Sequence, residues 1–329
     1  MAARAVAAVV AVMVVMACAG AGAVVWLRPD WLAGAFAGGR AESAGTGASS
    51  RTSAGGGTTH RTLGRAAAPQ PSAKASKQRD MDALGQTIRS RIAGYQGTWQ
   101  VYVEDLASGA SVSVDSHPSY AASDIKLYVM LAVFQRIADG AVSDDASLDQ
   151  LLTQMITVSS NEATNSLVTM LGGGDMQAGF TVVNDTAARY GFKDSRISQA
   201  LGVTPVDANG KVTTADDCGR FMAAAYRGRL VSGDASRRMI DLLLGQTRRA
   251  KIPGGVPAGV TVANKTGENT GVENDAALVF AGSDTSGAID GSATQGDYAI
   301  AVMTSDVASP SAAQASIRDL SAAVWDALR

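Results

Sequence analysis

The chain has 329 residues, 46% hydrophobic and 18% charged, with a formal net charge of −2, the balance of a globular protein built as one large domain or two small ones. The charge is uneven: residues 38–80 carry seven Lys or Arg against Glu42 and Asp80, whereas residues 81–329 carry nineteen against twenty-seven acids, which argues against nucleic acid as a partner of the folded part. Two histidines, His60 and His117, essentially exclude a zinc site, and two cysteines, Cys18 and Cys218, leave the fold without a useful disulfide.

Ala5 to Leu27 is an uncharged, largely apolar run between Arg4 and Arg28, long enough to span a bilayer as one helix. It reads as an uncleaved anchor, because the run stays apolar past both candidate cleavage sites. The alternatives are a signal peptide cut near Ala21-Gly22-Ala23 and a lipoprotein cut before Cys18. Each makes residues 1–37 a membrane-directed segment and places the remainder outside the cytoplasm, at the cell membrane if the anchor is kept. Residues 38–79, rich in Gly, Ser, Ala and Thr, have too few large apolar side chains to offset their ordering entropy. They read as a disordered tether.

A globular pattern begins at Asp80. Met81–Ala93 has helical apolar spacing at Leu84, Ile88 and Ile92. Thr98–Val103 and Ala110–Val114 alternate as a hairpin around Leu106-Ala107-Ser108-Gly109. Residues 123–249 are mostly helical, with breaks at Gly172-Gly173-Gly174, Gly191 and residues 201–212, and Thr214 with Asp217 reads as a capping pair. Three strands follow, Gly259–Lys265, Ala276–Ala281 and Tyr298–Met303, and a helix from about Ala312 to Leu328 closes the chain. This order predicts an α/β (α+β) domain over 80–329, with a sheet part at 80–122 and 250–329 interrupted by an all-α lobe at 123–249.

Three short motifs carry the chemistry. In Ser123-Asp124-Ile125-Lys126 the lysine lies at i+3, on the same face as the serine, ahead of a helix apolar nearly all round. In a dry site near a second cation that amine would lose its proton and could activate the hydroxyl without a histidine. Asp124 fits the helix dipole and needs no catalytic role. Alone, the pair reads equally well as a cap and a snorkelling lysine. Ser159-Ser160-Asn161 comes next, where Ser159 with Glu162 also satisfies a capping box. Lys265-Thr266-Gly267 lies on a strand and is followed by Asn274-Asp275 and an apolar run. His117 sits in a loop with Pro118 and reads as a loop residue, not a member of a triad.

Together, in this order, the three motifs resemble those of the active-site serine penicillin-recognising enzymes, most closely the class A β-lactamase-like serine hydrolases. The resemblance covers residues 80–329. It implies a five-stranded antiparallel sheet flanked by helices, with the active site in the cleft between sheet and helical lobe. It further implies Ser123 as nucleophile, Lys126 as its base, Ser159 as proton relay and Lys265 as the cation holding Ser159 and a substrate carboxylate. Asn161 and Thr266 would bind substrate, Gly267 would let it approach the backbone, and the Glu268 N–H would serve the oxyanion. No cofactor or metal is implied, and a monomer is expected. One departure matters: residues 195–213 hold no glutamate to activate a deacylating water. Asp207, with Asn209 after it, could be a shortened substitute but reads better as a turn residue. The expected activity is therefore covalent acylation by β-lactams or acyl-D-Ala-D-Ala-like peptides with slow release. A D,D-carboxypeptidase or transpeptidase and a non-catalytic penicillin-binding domain are the alternatives.

Overall fold

The structure, a computed structural model, describes residues 73–282, 285 and 294–329. The apolar segment at 5–27 and the tether up to residue 72 lie outside the described residues. Among those described, no helix is long and apolar enough to cross a membrane.

The first helix, α1 (Ala73–Ile92), begins seven residues before the expected domain boundary. Ala73–Gln78 are good helix formers, and the docked end has a use. Gln78 Nε2 donates to Ser111 O at 2.8 Å, and Ser111 N donates to Gln78 Oε1 at 3.3 Å, satisfying a sheet edge. Met81, Leu84 and Ile88 are the buried stripe.

The hairpin β1 (Thr98–Asp105) and β2 (Ala110–Val114) pairs Val101 with Val114 and Asp105 with Ala110. Three long strands follow the helical lobe, β6 (Thr261–Asn269), β7 (Val272–Phe280) and β8 (Tyr298–Ser305), each extending beyond its sequence-based limits. They complete an antiparallel sheet of order β2-β1-β8-β7-β6. One face packs Val101, Val103, Val279, Ile300 and Val302 against α1 and the last helix, α8 (Pro310–Leu328). The other packs Tyr102, Leu278 and Ala301 against the lobe. Both faces are covered, so residues 276–280 of β7 and 298–303 of β8 read as nearly continuous apolar runs, whereas β7 begins with the buried polar residues Glu273, Asn274 and Asp275.

In the lobe, β3 (Ser119–Tyr120) and a 3₁₀ turn (Ala122–Ile125) lead into α2 (Lys126–Ala138). Every residue of α2 from Lys126 to Phe134 is buried, as its all-round apolarity requires. Around it stand α3 (Ala146–Thr157), α4 (Asn161–Leu171), α5 (Met176–Arg189), α6 (Ala215–Tyr226) and α7 (Gly233–Leu244). A small second sheet escaped the sequence reading because its strands are so short. It orders β3, β5 (Lys211–Thr213) and β4 (Arg196–Ile197), with Tyr120 opposite Val212. It ties the segment before Ser123 to the end of the 199–210 loop.

Candidate active site

Ser123 lies in the 3₁₀ turn that opens α2, where side chains three apart eclipse one another. The preceding Ala122 has φ +48°, and Ser159, just after α3, has φ +62°. Left-handed backbone at a non-glycine residue costs about 1–3 kcal/mol. One strained position directly precedes Ser123 and the other is Ser159 itself. The turn is held from the sheet side by Asn274, whose Nδ2 donates to Tyr120 O at 3.2 Å and Ala121 O at 3.3 Å. Ser123 is half-buried, lines a cavity of about 230 Å³, and among the described residues its hydroxyl has no hydrogen-bond partner.

Lys126 is fully buried, and its amine reaches the second motif, not Ser123. Nζ lies 2.6 Å from Ser159 O, 3.1 Å from Ser159 Oγ and 3.0 Å from Asn161 Oδ1. Burial, and then the positive charges of Lys265 and Arg248, bring its pKa down to about 6. The amine is thus mostly neutral at pH 7, with two N–H groups and one lone pair. Ser159 O and Asn161 Oδ1 can only accept, so the lone pair faces the Ser159 hydroxyl. Lys265 Nζ donates to the same Oγ at 3.0 Å and to Thr266 O at 2.7 Å. Lys265, Ser159 and Lys126 form a line along which a proton can move.

The capping box expected at Ser159 is displaced by one residue. Ser160 caps α4, its Oγ accepting from Ala163 N at 3.1 Å and donating to Glu162 at 3.0 Å. That leaves Ser159 free to face the two lysines. Thr214 caps α6 as expected, accepting from Asp217 N at 2.9 Å, but the Asp217 carboxylate turns to Ser195 and Arg220.

Asp124 also differs from its sequence reading as a helix-dipole residue. It is wholly buried, and among the described residues neither carboxylate oxygen has a hydrogen-bond partner. Burial pushes its pKa up, opposed chiefly by the attraction of Lys265, while burial pushes Lys265 down against the attraction of Asp124. The missing side chain of Gly267 makes room for this turn: a Cβ there would stand 2.8 Å from Ala121 O and 3.1 Å from Asp124 Oδ1. Glycine is therefore required by close packing within the protein, a reason the sequence reading had assigned to substrate.

Thr266 is buried, its hydroxyl without a partner among the described residues, and lines a second cavity with Arg248 and Lys251. Glu268 borders both cavities and is ion-paired with Arg248 and, at 3.1 Å, with Lys251, which also holds Glu273 at 2.8 Å. Asn161 lines the Ser123 cavity opposite Gly202, Val203 and Thr204. Asp207 does not line it. It is exposed, and its carboxylate accepts from Asn209 N at 2.8 Å, the turn geometry favoured from the sequence. His117 is exposed too, with its ring Nδ1 2.6 Å from Asp115 O.

Neither Asn165 nor Lys211 is assigned a role from the sequence. Asn165 clamps the 199–210 loop, donating to Leu201 O at 3.0 Å and accepting from Leu201 N at 2.9 Å. Its signal was the i+4 spacing from Asn161, which puts both amides on one face of α4. Lys211 enters the cavity wall through a strand too short to recognise.

A serine at the mouth of a cleft between an antiparallel sheet and a helical lobe, with two buried lysines meeting behind it, defines a hydrolase of the β-lactamase type. The chain belongs to the beta-lactamase enzyme family, whose profile matches residues 83–149 and 141–328. No curated protein sequence matches it. Among solved structures it is similar to PBP-A, with TM-score 0.62 and 24% identity over 74% of this chain and 95% of that one. A β-lactamase from Sphaerobacter thermophilus gives 0.60 and 22% over 74% and 95%. One from Streptosporangium roseum gives 0.61 and 21% over 75% and 98%. At these identities the likeness shows the shared fold.

Proposed function

We propose that the protein is a serine hydrolase that forms a covalent acyl-enzyme with β-lactams or related amides and releases it slowly. The observation that carries this is Ser159 Oγ, held between Lys265 and a largely neutral Lys126. Ser123 Oγ bonds to the carbonyl carbon as its proton passes to Lys126 Nζ, which turns from Ser159 to receive it. The backbone N–H groups of Ser123 and Glu268 bind the resulting oxyanion. The C–N bond then breaks, and the proton travels through Ser159 Oγ to the leaving nitrogen. Asn161 holds the acyl-side amide, and Lys265 with Thr266 holds the substrate carboxylate.

Slow release is supported by the composition of the cavity wall. Leu201, Gly202, Val203, Thr204 and Val206 offer no carboxylate to activate water, and Glu268 is occupied by two cations. Asp207 is turned into its own loop. The same lack of a free carboxylate favours, as a second reading, a D,D-peptidase whose natural acyl acceptor is an amine. PBP-A, in a mutant form, was captured as an acyl-enzyme complex with penicillin G, which makes that drug a sensible probe here. The apolar run at 5–27 supports a membrane-anchored protein with this domain outside the cytoplasm.

The test is labelled penicillin followed by mass spectrometry, with nitrocefin and an acyl-D-Ala-D-Ala peptide as turnover substrates. A long-lived adduct that disappears in Ser123→Ala is expected. No adduct in the wild type, or an undiminished one in Ser123→Ala, refutes the serine mechanism. Rapid nitrocefin turnover retained in Asp207→Asn refutes slow release.

A further inference from the structure

The Ser123 cavity contains a cation that the acylation chemistry leaves unused. Lys211 opens β5 and forms part of the cavity wall with Tyr120, Asn161 and the 201–206 segment. Its carbonyl accepts from Ala121 N at 3.0 Å, which anchors it to the strand leading directly into Ser123. Its amine donates to Gln199 Oε1 at 3.2 Å and Ala200 O at 3.3 Å, and lies 5.7 Å from the centre of the Tyr120 ring. All three partners are neutral.

Lys211 is 4% exposed and makes no ion pair among the described residues. Burial lowers its pKa, and Asp207, the nearby acid, raises it without reaching ion-pair distance. The other charged group on the wall, Glu268, is already neutralised by Arg248 and Lys251. A largely buried cation held only by two carbonyl oxygens and the face of one aromatic ring is costly to keep unless a carboxylate arrives. An ammonium has three N–H donors, and the two carbonyl oxygens use two of them. Beside it, Leu201, Val203 and Val206 supply apolar wall, with Val203 and Val206 exposed at 38% and 48%. Wet apolar side chains next to a cation without a counter-ion suit one kind of ligand: an acyl group with an apolar stem and a negative charge.

We propose that Lys211 is a specificity-determining residue that selects acyl donors carrying a carboxylate on the acyl side, distinct from the carboxylate held by Lys265 and Thr266. This rests on the acylation of Ser123 proposed above. Gln199 aligns the lysine: besides accepting from Nζ it accepts from Asp207 N at 3.1 Å, and its amide donates to Pro205 O at 3.2 Å. The loop that closes the cavity and the cation that reads its occupant are therefore one hydrogen-bonded unit.

The experiment uses the full chain and two penicillins that differ by one acyl-side carboxylate, carbenicillin and benzylpenicillin. Second-order acylation rates are measured by mass spectrometry on wild type, Lys211→Met and Lys211→Arg. The readout is the carbenicillin-to-benzylpenicillin ratio, which cancels any loss common to both drugs. The ratio in wild type is expected to exceed that in Lys211→Met by about tenfold, the worth of one hydrogen bond to a charged group, and to survive in Lys211→Arg. If Lys211 only braces the loop, Lys211→Met slows both drugs alike and leaves the ratio unchanged, which overturns the proposal. A wild type acylated by benzylpenicillin with no preference for carbenicillin overturns it as well. A wild type acylated by neither drug overturns the acylation mechanism itself, and this inference with it.

Discussion

Replacing Lys126 by arginine separates the two things a buried lysine can do beside a serine: supply positive charge, or accept a proton. With a pKa near 6, about 90% of Lys126 is neutral at pH 7. A lysine at the ordinary value of 10.5 would be neutral in only about three molecules in ten thousand at that pH. The environment thus raises the competent fraction by roughly 3,000-fold, within the range of 10²–10⁴ usual for a general base. Arginine stays protonated at any accessible pH but can still donate toward Ser159 O and Asn161 Oδ1. Lys126→Arg is expected to lower the penicillin acylation rate by about 10³-fold at pH 7. Lys126→Met, which lacks charge and donors alike, should lose at least as much. Rapid-quench mass spectrometry measures the rates, and thermal melting establishes that each variant is folded. In the wild type the rate should fall about tenfold for each pH step below 6, as the amine is protonated. A folded Lys126→Arg acylated within tenfold of wild type, or a wild-type rate that is flat from pH 5 to 8, would refute the assignment of Lys126 as base.

Two further outcomes follow from the buried turn and the sheet. Asp124→Asn bears on stability, because a carboxyl whose folded pKa lies above its ordinary 3.8 keeps a proton that the unfolded chain releases. Stability therefore declines as pH rises above 3.8 toward the folded pKa, and the melting-temperature advantage of Asp124→Asn should widen between pH 5 and 8. At Gly219, on the sheet-facing side of α6, a Cβ would overlap the Tyr102 ring. Gly219→Ala should lower stability by about 1–3 kcal/mol in denaturant titrations, despite alanine's better helix propensity. A neutral or stabilising result would mean that α6 and β1 can move apart.

The motifs, the α/β order and the two-part layout were legible in the amino-acid sequence because each rests on local pattern. The i+3 spacing puts Ser123 and Lys126 on one face whatever surrounds them, and the all-round apolarity of residues 127–134 announces a buried helix. Ala110–Val114 was recovered to the residue because one of its faces is wetter than the other. Elsewhere the pattern was blind to context. Ser159 and Ser160 are the same residue type, and only the left-handed turn after α3 makes Ser160 the cap and turns Ser159 toward the two lysines. Asp124 looked like an ordinary residue at a helix start until β6 closed over it. Lys211 looked like a loop lysine until β5 paired with β3 beside the nucleophile. The sequence by itself determined which groups this protein has for the proposed acylation. Tertiary packing decided their protonation and their aim, because burial and neighbouring charges more than a hundred residues away in the chain set the pKa of Lys126, and no local spacing encodes them.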